Sequence, residues 1–198
     1  MAPVKLSLAQ DKDADALLSK SPLALLIGMV LDQQIPLEWA FKGPHTLQQR
    51  LGRPLDAAEI AAMDPDVLAA VFSKPPALHR FPAANAKRVQ ELCRIIVEEY
   101  RGKADAIWKT ADTGDELLRR IKALPGFGEQ KARIFLALLG KQLGVQPPGW
   151  KKAAGDFGKA GTYMSVADIT DPATLGRVRQ YKQEKKAAAK AAAAESSG

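Results

Sequence analysis

The chain has 198 residues, 46% of them hydrophobic and 6% aromatic, which is enough apolar material for a core and excludes wholesale disorder. Its single cysteine, Cys93, excludes an intramolecular disulfide framework, a cysteine-ligated iron–sulfur cluster and a zinc knuckle. The net charge is +7, but residues 177–190 carry +5 of it, so the body of the chain is only mildly basic.

No apolar run reaches the roughly 18 residues that a membrane-spanning helix needs. The first ten residues also lack the basic and then apolar pattern of a secretion signal. We therefore expect a cytoplasmic protein that makes no membrane contact.

The spacing of apolar residues predicts helices throughout, and alternating strand patterns are hard to find. A short polar helix is expected over residues 11–19. The next helix, from Pro22 to Leu31, is apolar on every side, which indicates that it is buried on every side. Pro36 can begin a third helix, which Gly43-Pro44 should interrupt or kink.

Two short helices should precede a loop at Pro75-Pro76, and a long helix is predicted over about residues 83–100. Thr113 and Glu116 have the three-residue spacing of a capping box, which satisfies free amides at the start of a helix. Residues 144–161 are rich in Gly, Pro and Lys and should form a loop with one helical turn.

Asp171-Pro172 begins the last predicted helix. Beyond Lys185 this helix becomes a Lys- and Ala-rich run with high helix propensity but no apolar face to bury. The sequence therefore predicts a single helical domain over residues 1–176 and a basic tail over residues 177–198 that frays.

The most informative local pattern is Leu124-Pro-Gly-Phe-Gly128, a tight turn inside a helical hairpin over about residues 115–139. The glycines allow unusual backbone conformations and leave no side chain over the amides of Gly126, Gly128 and Glu129. Those amides begin a helix, where free N–H groups and the helix dipole favour an anion. The turn therefore either binds a phosphate or is an ordinary hairpin whose glycines only tighten the bend.

This turn resembles the helix–hairpin–helix element, Leu-Pro-Gly-apolar-Gly followed by an amphipathic helix. Two further segments resemble the helix–hairpin–helix (HhH-GPD) base-excision DNA glycosylases, the endonuclease III-like superfamily. Residues 21–34 are similar to its apolar helix followed by Gln-Gln, and residues 80–89 to the stretch that enters its long helix. The order and spacing agree over about residues 21–158, and the chain is most similar to a small bacterial branch without the iron–sulfur cluster.

The resemblance implies an all-α, two-lobed fold with a DNA cleft between the lobes and a target base that is flipped out of the duplex. The partner would be double-stranded DNA, bound by a monomer associated with the nucleoid. The residues implied in phosphate binding are Gly126, Phe127, Gly128, Gln130 and Lys131. No cofactor is expected, although a monovalent cation could bind at the hairpin turn.

Gln33 or Gln34 would fill the gap that the flipped base leaves, because a buried helix gives them a rigid base; otherwise they are a pair of solvated glutamines. Side chains that could stack on the base are Trp39, Phe41, His45, His79, Phe81 and Trp150. For any one of these, burial in the core is the competing interpretation. Trp150 is favoured because it lies in a polar Gly/Lys loop. His45 and His79 lack partners at metal-ligand spacing, so no metal site is expected.

Family members that also cut the strand use a lysine nucleophile two residues after the second glycine of the turn. In this chain that position is Gln130, which cannot form a Schiff base. Lys131 lies one residue later, about 100° around the helix, and is interpreted as a surface or phosphate-contacting lysine. A monofunctional enzyme without lyase activity is therefore expected.

The family also uses an aspartate after the hairpin, which stabilises the cationic sugar or orients a water molecule. At the usual spacing this chain has Pro148, so Asp156, between Gly155 and Phe157, is the favoured catalytic carboxylate and requires an insertion of about eight residues. Asp168 is the main alternative. Either could instead be a plain helix cap or turn residue.

Asp32, which precedes Gln33, is a further catalytic alternative, although a helix C-terminus is a poor place for an anion. The resemblance thus predicts a DNA glycosylase that hydrolyses the N-glycosidic bond of a damaged or modified base. Two other functions stay open: a catalytically inactive DNA-binding protein of the same fold, and a scaffold that uses the hairpin for protein contacts. The basic helix from Arg177 would add nonspecific DNA affinity.

Overall fold

A computed structural model describes residues 3–195, which form eleven α-helices and no β-strand. The helices are α1 (Lys12–Lys20), α2 (Pro22–Leu31), α3 (Leu37–Leu51), α4 (Ala57–Ala62), α5 (Pro65–Ser73), α6 (Pro82–Tyr100), α7 (Ala106–Lys109), α8 (Gly114–Lys122), α9 (Glu129–Gln142), α10 (Trp150–Ala154) and α11 (Pro172–Glu195). Two 3₁₀ turns, Gly155–Gly158 and Val166–Asp168, lie between α10 and α11. The all-α class predicted from the sequence is confirmed.

The helices form two groups that share one hydrophobic core. In the first group α2 packs against α1, α3 and α6, while α4 and α5 pack on α6. In the second group α9 packs against α8, α10 and both 3₁₀ turns, and the start of α11 contacts the second of these turns. The hairpin α8–α9 therefore belongs to the second group, and α2 is central to the first.

α2 is fixed by burial, since residues 23–31 are all buried. Pro22 occupies its first turn, and the Ser21 side chain accepts a hydrogen bond from the Ala24 amide at 3.1 Å. The start of α2 is therefore specified by its local sequence. Within residues 3–195 no single helix has the length and hydropathy of a membrane span; α1 and α2 reach them only together, as a pair bent by 117°.

α3 runs through Gly43-Pro44 without interruption, so the predicted interruption is wrong, and a kink at this point stays a prediction. Gly43 is required at this point, since a Cβ there would lie 2.5 Å from Leu31 Cδ1. Gly28 has the same role on the facing helix, where a Cβ would lie 2.7 Å from the Phe41 ring. The two glycines let α2 and α3 approach closely, and Pro44 is buried within the continuous helix.

The capping box predicted at the start of α8 is shifted by one residue. The Thr113 hydroxyl accepts from the Glu116 amide at 3.1 Å, as expected, but the Glu116 carboxylate accepts from the Asp112 amide at 2.9 Å rather than from Thr113. The same carboxylate pairs with Arg120 at 2.5 Å. The first turn of α8 is thus stabilised by the Thr113 hydroxyl and by the two contacts of the Glu116 carboxylate.

α11 crosses the predicted boundary between residues 176 and 177 as one continuous helix. Leu175 and Val178 are buried, so the first turns of the supposed tail belong to the folded domain. Residues 182–195 are helical and exposed, and fraying at that end stays a prediction.

Replacing Gly140 with alanine should destabilise the protein, because the new Cβ would lie 2.3 Å from the buried ring of Trp150. We expect the free energy of unfolding to fall by about 1–3 kcal/mol. The matched control is Gly176→Ala in α11, where the new Cβ meets no heavy atom within 4 Å. It should gain up to about 1 kcal/mol from helix propensity. Urea unfolding measures both, and equal stability of the two variants would contradict this packing.

Candidate functional site

A cleft of about 440 Å³ lies between the two groups of helices. Its walls come from the end of α2 and the following loop, the first turns of α9, the loop segments between α10 and α11, and α11 itself. The polar residues that line it are Asp32, Gln33, Gln34, Gln130, Lys131, Tyr181, Lys182 and Lys185. The structure thus brings together residues that are more than 150 positions apart in the sequence.

Lys131 connects the two groups at the base of the cleft. Its Nζ donates a hydrogen bond to the carbonyl of Met29 at 2.8 Å, near the end of α2. Burial lowers the pKa of the Lys131 ammonium, and the Asp32 carboxylate partly opposes that effect. Lys131 is therefore not a plain surface lysine, because its side chain reaches into the cleft, and the alternative interpretation as a phosphate-contacting lysine stays a prediction.

Asp32 places a carboxylate in the cleft directly after α2. Its side chain accepts no hydrogen bond from residues 3–195, although its amide donates to the Gly28 carbonyl at 3.0 Å. Burial raises the pKa of Asp32, and the charges of Lys182 and Lys131 only partly offset this. The C-terminus of α2 also disfavours an anion. An unpaired carboxylate of this kind is typical of a site used for chemistry or binding.

Gln33 and Gln34 are exposed at the mouth of the cleft. Arg88 on α6 donates to Gln33 Oε1 at 3.3 Å. Gln34 has φ of 60°, a left-handed conformation that is uncommon for a residue other than glycine. The predicted gap-filling pair therefore follows a rigid helix and lies beside Asp32.

The hairpin turn exposes its main chain as predicted. No group among the described residues accepts a hydrogen bond from the amides of Gly126, Gly128 or Glu129, and all three residues are exposed. Gly126 has φ of 80°, which favours glycine. A Cβ on Gly126 would lie 3.7 Å from Val30 and 3.9 Å from Arg88, so the turn lies against α2 and α6 beside the cleft.

Phe127 has a structural role in this turn, which corrects the phosphate-binding role implied by the resemblance. Its amide donates to the Leu124 carbonyl at 3.2 Å, and its ring is buried 5.8 Å from that of Phe135, between ring centroids. Phe127 thus anchors the turn to the core. Gln130 is exposed and lines the cleft, and its role in phosphate binding stays a prediction.

Glu129, the acidic residue at the turn, is neutralised by two cations. Its carboxylate pairs with Lys122 and with Arg133, the latter at 2.8 Å, and these bonds hold the pKa of Glu129 below its usual range. The turn therefore presents amides and cations to an anion without an unopposed negative charge.

The two other predicted carboxylates lie outside the cleft. Asp156 is 67% exposed, pairs with Lys159 at 2.6 Å and lines a separate depression beside Lys151. Asp168 is only 4% exposed and accepts hydrogen bonds from Lys141 at 2.6 Å and from the amide of Met164 at 2.8 Å. Asp156 is thus a surface residue and Asp168 a buried cap, so of the three aspartates only Asp32 lines the cleft.

The predicted stacking residues also lie elsewhere. Trp150 is buried against Gly140, and the Trp39 indole N–H donates to the Ala77 carbonyl at 3.2 Å in a separate groove. His45 belongs to α3 and does not line the cleft. The prediction that Trp39, Trp150 and His45 line the base pocket is therefore wrong for this cleft.

The aromatic residues that do line the cleft are Phe157 and Tyr181, with Met164 beside them. Tyr181 is not among the predicted site residues because the sequence assigns residues 177–198 to a tail, and Phe157 and Met164 lie between α10 and α11, where no local pattern marks them. The helical spacing of Leu175, Val178 and Tyr181 was the signal that could have identified Tyr181.

Residues 3–195 contain no group of three or more His, Cys, Asp or Glu side chains that could hold a metal ion.

A family model described as HhH-GPD superfamily base excision DNA repair protein matches residues 27–196, which confirms the resemblance predicted from the sequence. The matched range contains every residue of the cleft. Comparison with curated proteins and with solved structures gave no match.

Asp32→Asn should stabilise the protein at pH 7. Because burial raises the pKa of Asp32, the native state binds this proton more tightly than the unfolded state, and the ionised carboxylate costs stability above the raised pKa. We expect a gain of about 1 kcal/mol, or roughly 2–4 °C in Tm. The gain should shrink as pH falls through the raised pKa, because the native carboxyl is then protonated too.

Asp156→Asn is the matched control, since it removes an exposed carboxylate that is already paired with Lys159. Thermal unfolding followed by circular dichroism at pH 7 and at lower pH measures both variants. Equal effects of the two substitutions would contradict the assignment of Asp32 as a half-buried carboxylate whose charge destabilises the fold.

Proposed function

Because the chain belongs to the HhH-GPD superfamily of base excision DNA repair proteins, we propose that it is a monofunctional DNA glycosylase. It would hydrolyse the N-glycosidic bond of a damaged or modified base in double-stranded DNA. The observation that carries this proposal is the unpaired carboxylate of Asp32, inside a cleft that the bare amides of the hairpin turn adjoin.

The hairpin turn would hold the DNA backbone. Free amides at Gly126, Gly128 and Glu129 and the dipole of the 14-residue α9 attract a phosphate oxygen, and Arg88 and Lys122 add positive charge nearby. The turn lies beside the cleft, so a phosphate bound there belongs to a nucleotide close to Asp32. The target base must leave the stack, because the sugar–base bond is inaccessible inside the duplex.

Asp32 would supply the chemistry. Its carboxylate lines the cleft and would stabilise the positive charge that develops on the sugar as the C1′–N bond breaks. It can also accept a proton from the water molecule that adds to C1′, and burial makes it a better base than a solvated aspartate. Asp32 thus takes the role that the resemblance had assigned to Asp156.

Two features support hydrolysis without strand cleavage. Gln130 occupies the family's lysine position and has no amine. The Nζ of Lys131 donates to the Met29 carbonyl at 2.8 Å, so it cannot attack a sugar carbon without giving up that hydrogen bond. Burial lowers the pKa of Lys131, which favours the neutral amine, so covalent trapping is the required control.

A catalytically inactive DNA-binding protein is the second candidate, because Gln130 and Pro148 occupy the family's lysine and aspartate positions.

Three further properties stay predictions: a cytoplasmic, nucleoid-associated location, a monomeric state and a monovalent cation at the hairpin turn.

The test of function is incubation with a panel of duplexes that each carry one modified base, followed by alkaline cleavage of abasic sites. We expect product from at least one duplex, and only after alkali. Asp32→Asn should lower the single-turnover rate by about 100-fold or more while DNA binding is retained. Asp156→Asn should leave the rate unchanged, because its carboxylate lies outside the cleft.

Loss of activity in Asp156→Asn but not in Asp32→Asn would contradict the site. Binding without excision across the panel would favour the inactive DNA-binding protein. A covalent protein–DNA complex trapped by borohydride, and absent in Lys131→Gln, would contradict hydrolysis without lyase activity. The wild-type rate should also fall with decreasing pH at a higher pH than a solvated aspartate would give, since burial raises the pKa of Asp32.

The exposed lysines of α11 should contribute nonspecific affinity. Lys185 lines the cleft, and Lys186 and Lys190 follow it on the exposed part of the helix. Replacing all three with glutamine should flatten the dependence of log affinity on log salt by up to about 0.9 for each phosphate that is no longer neutralised. The control replaces Lys12 and Lys20, which line a different groove, and should leave the slope unchanged. Fluorescence anisotropy at several salt concentrations measures both, and equal slopes would remove α11 from the interface.

A further inference from the structure

The turn that carries Gln33 and Gln34 is held from inside the protein by His79, a residue that the proposed chemistry does not use. His79 is 2% exposed, and its Nε2 lies 2.8 Å from the main-chain carbonyl of Gln33. Its Nδ1 lies 3.0 Å from the amide of Phe81 and 2.8 Å from Asn85 Nδ2. Both ring nitrogens are therefore engaged.

These contacts define the tautomer of His79. The Phe81 amide and the Asn85 side-chain NH₂ can only donate, so Nδ1 must be the acceptor and Nε2 must carry the proton. Nε2–H then donates to the Gln33 carbonyl. Burial lowers the pKa of the His79 ring, which keeps it neutral in this role.

Asn85 holds the ring in place. It is 1% exposed, and its Nδ2 also donates to the Phe81 carbonyl at 2.9 Å. Its Oδ1 has no hydrogen-bond partner among residues 3–195. Turning the amide over would place Oδ1 against the acceptors on His79 and Phe81, so the observed orientation is the one that serves the ring.

The turn needs this support because of Gln34. Its φ of 60° is a strained conformation for a side chain that is not glycine, and such a conformation persists only where the surroundings impose it. Gln33 is fixed by three bonds: its amide donates to the Leu31 carbonyl at 2.7 Å, its carbonyl accepts from His79, and its side chain accepts from Arg88.

The side chain of Gln34 has no hydrogen-bond partner in the described part of the chain and is exposed at the mouth of the cleft. The side chain of Gln33 is hydrogen-bonded within the protein, whereas the side chain of Gln34 is free to contact DNA. This difference separates two residues that the sequence could not separate.

We propose that His79 is a positioning residue that fixes the Gln33 carbonyl, so that Gln34 is presented as the side chain that fills the gap in the duplex. This inference rests on the proposed function, because a gap arises only if a base is flipped.

Two substitutions divide the contacts of His79. His79→Gln can still donate to the Gln33 carbonyl, because its amide nitrogen can occupy the position of Nε2. His79→Asn keeps an acceptor at the position of Nδ1 for the Phe81 amide but cannot reach Gln33. A purely structural role for His79 would affect both variants alike, and Tm monitors their folding.

The first readout uses the free protein. We expect relaxation dispersion at Gln33 and Gln34 in His79→Asn, and faster hydrogen exchange, by roughly tenfold, at the Gln33 amide, which donates to the Leu31 carbonyl at 2.7 Å. Behaviour close to wild type is expected in His79→Gln. Unchanged dispersion and exchange in His79→Asn would overturn the positioning role, whatever the protein does with DNA.

The second readout uses a duplex with 2-aminopurine opposite a tetrahydrofuran abasic analogue, where an inserted side chain changes the fluorescence. We expect the change to persist in His79→Gln and Gln33→Ala and to disappear in His79→Asn and Gln34→Ala. Its disappearance in Gln33→Ala with retention in Gln34→Ala would overturn the assignment of Gln34. No response from wild type, together with no excision, would count against the proposed function, and the measurement on the free protein would still decide the role of His79.

Discussion

The candidate site depends on how the buried end of α2 satisfies its carbonyl groups. A helix leaves its last carbonyls without partners inside the helix, and residues 23–31 are too buried to rely on water. The Asp32 amide pairs with the Gly28 carbonyl, Lys131 with that of Met29, and the Gln33 amide with that of Leu31. The residues that satisfy the carbonyl groups at the end of α2 also line the cleft. The same hydrogen bonds therefore stabilise α2 and set the geometry of the site.

The contact between Lys131 and Met29 also sets the distance between the two halves of the site. Lys131 lies in the first turn of α9, directly after the bare amides of the hairpin, and Met29 lies one turn before Asp32. This hydrogen bond of 2.8 Å therefore connects the helix that follows the hairpin turn to the helix end that carries the carboxylate. The half-buried position of Asp32 raises its pKa, so its negative charge lies in an unfavourable electrostatic environment.

The features that the sequence predicted correctly are those encoded within a few residues. The burial of α2, the turn at Gly126 and Gly128, and the position of Gln33 and Gln34 after a buried helix all follow from local composition and spacing. Family membership followed from the order of these segments. Features that depend on neighbouring residues in the chain can therefore be predicted from the sequence alone.

The errors arose where a residue's environment is set by distant parts of the chain. The local sequence predicts a loop at Trp150, because the packing of Trp150 against Gly114 and Gly140 depends on residues that are distant along the chain. Asp156 is favoured from the sequence because Gly155 and Gly158 would allow close backbone approach to a sugar, but these glycines form a 3₁₀ turn that leaves the carboxylate on the surface with Lys159. Lys131 is half-buried only because α9 packs near the end of α2.

The central claim is that the hairpin amides and the mouth of the cleft bind the same stretch of DNA. The most direct measurement is a titration of ¹⁵N-labelled protein with a short duplex that contains a tetrahydrofuran abasic analogue, followed by two-dimensional amide spectra. We predict the largest shift changes at Gly126, Gly128, Glu129 and Gln34, which lie at the turn and the cleft mouth. Changes centred instead on the groove near Lys12 and Lys20, with the hairpin amides unmoved, would contradict the account.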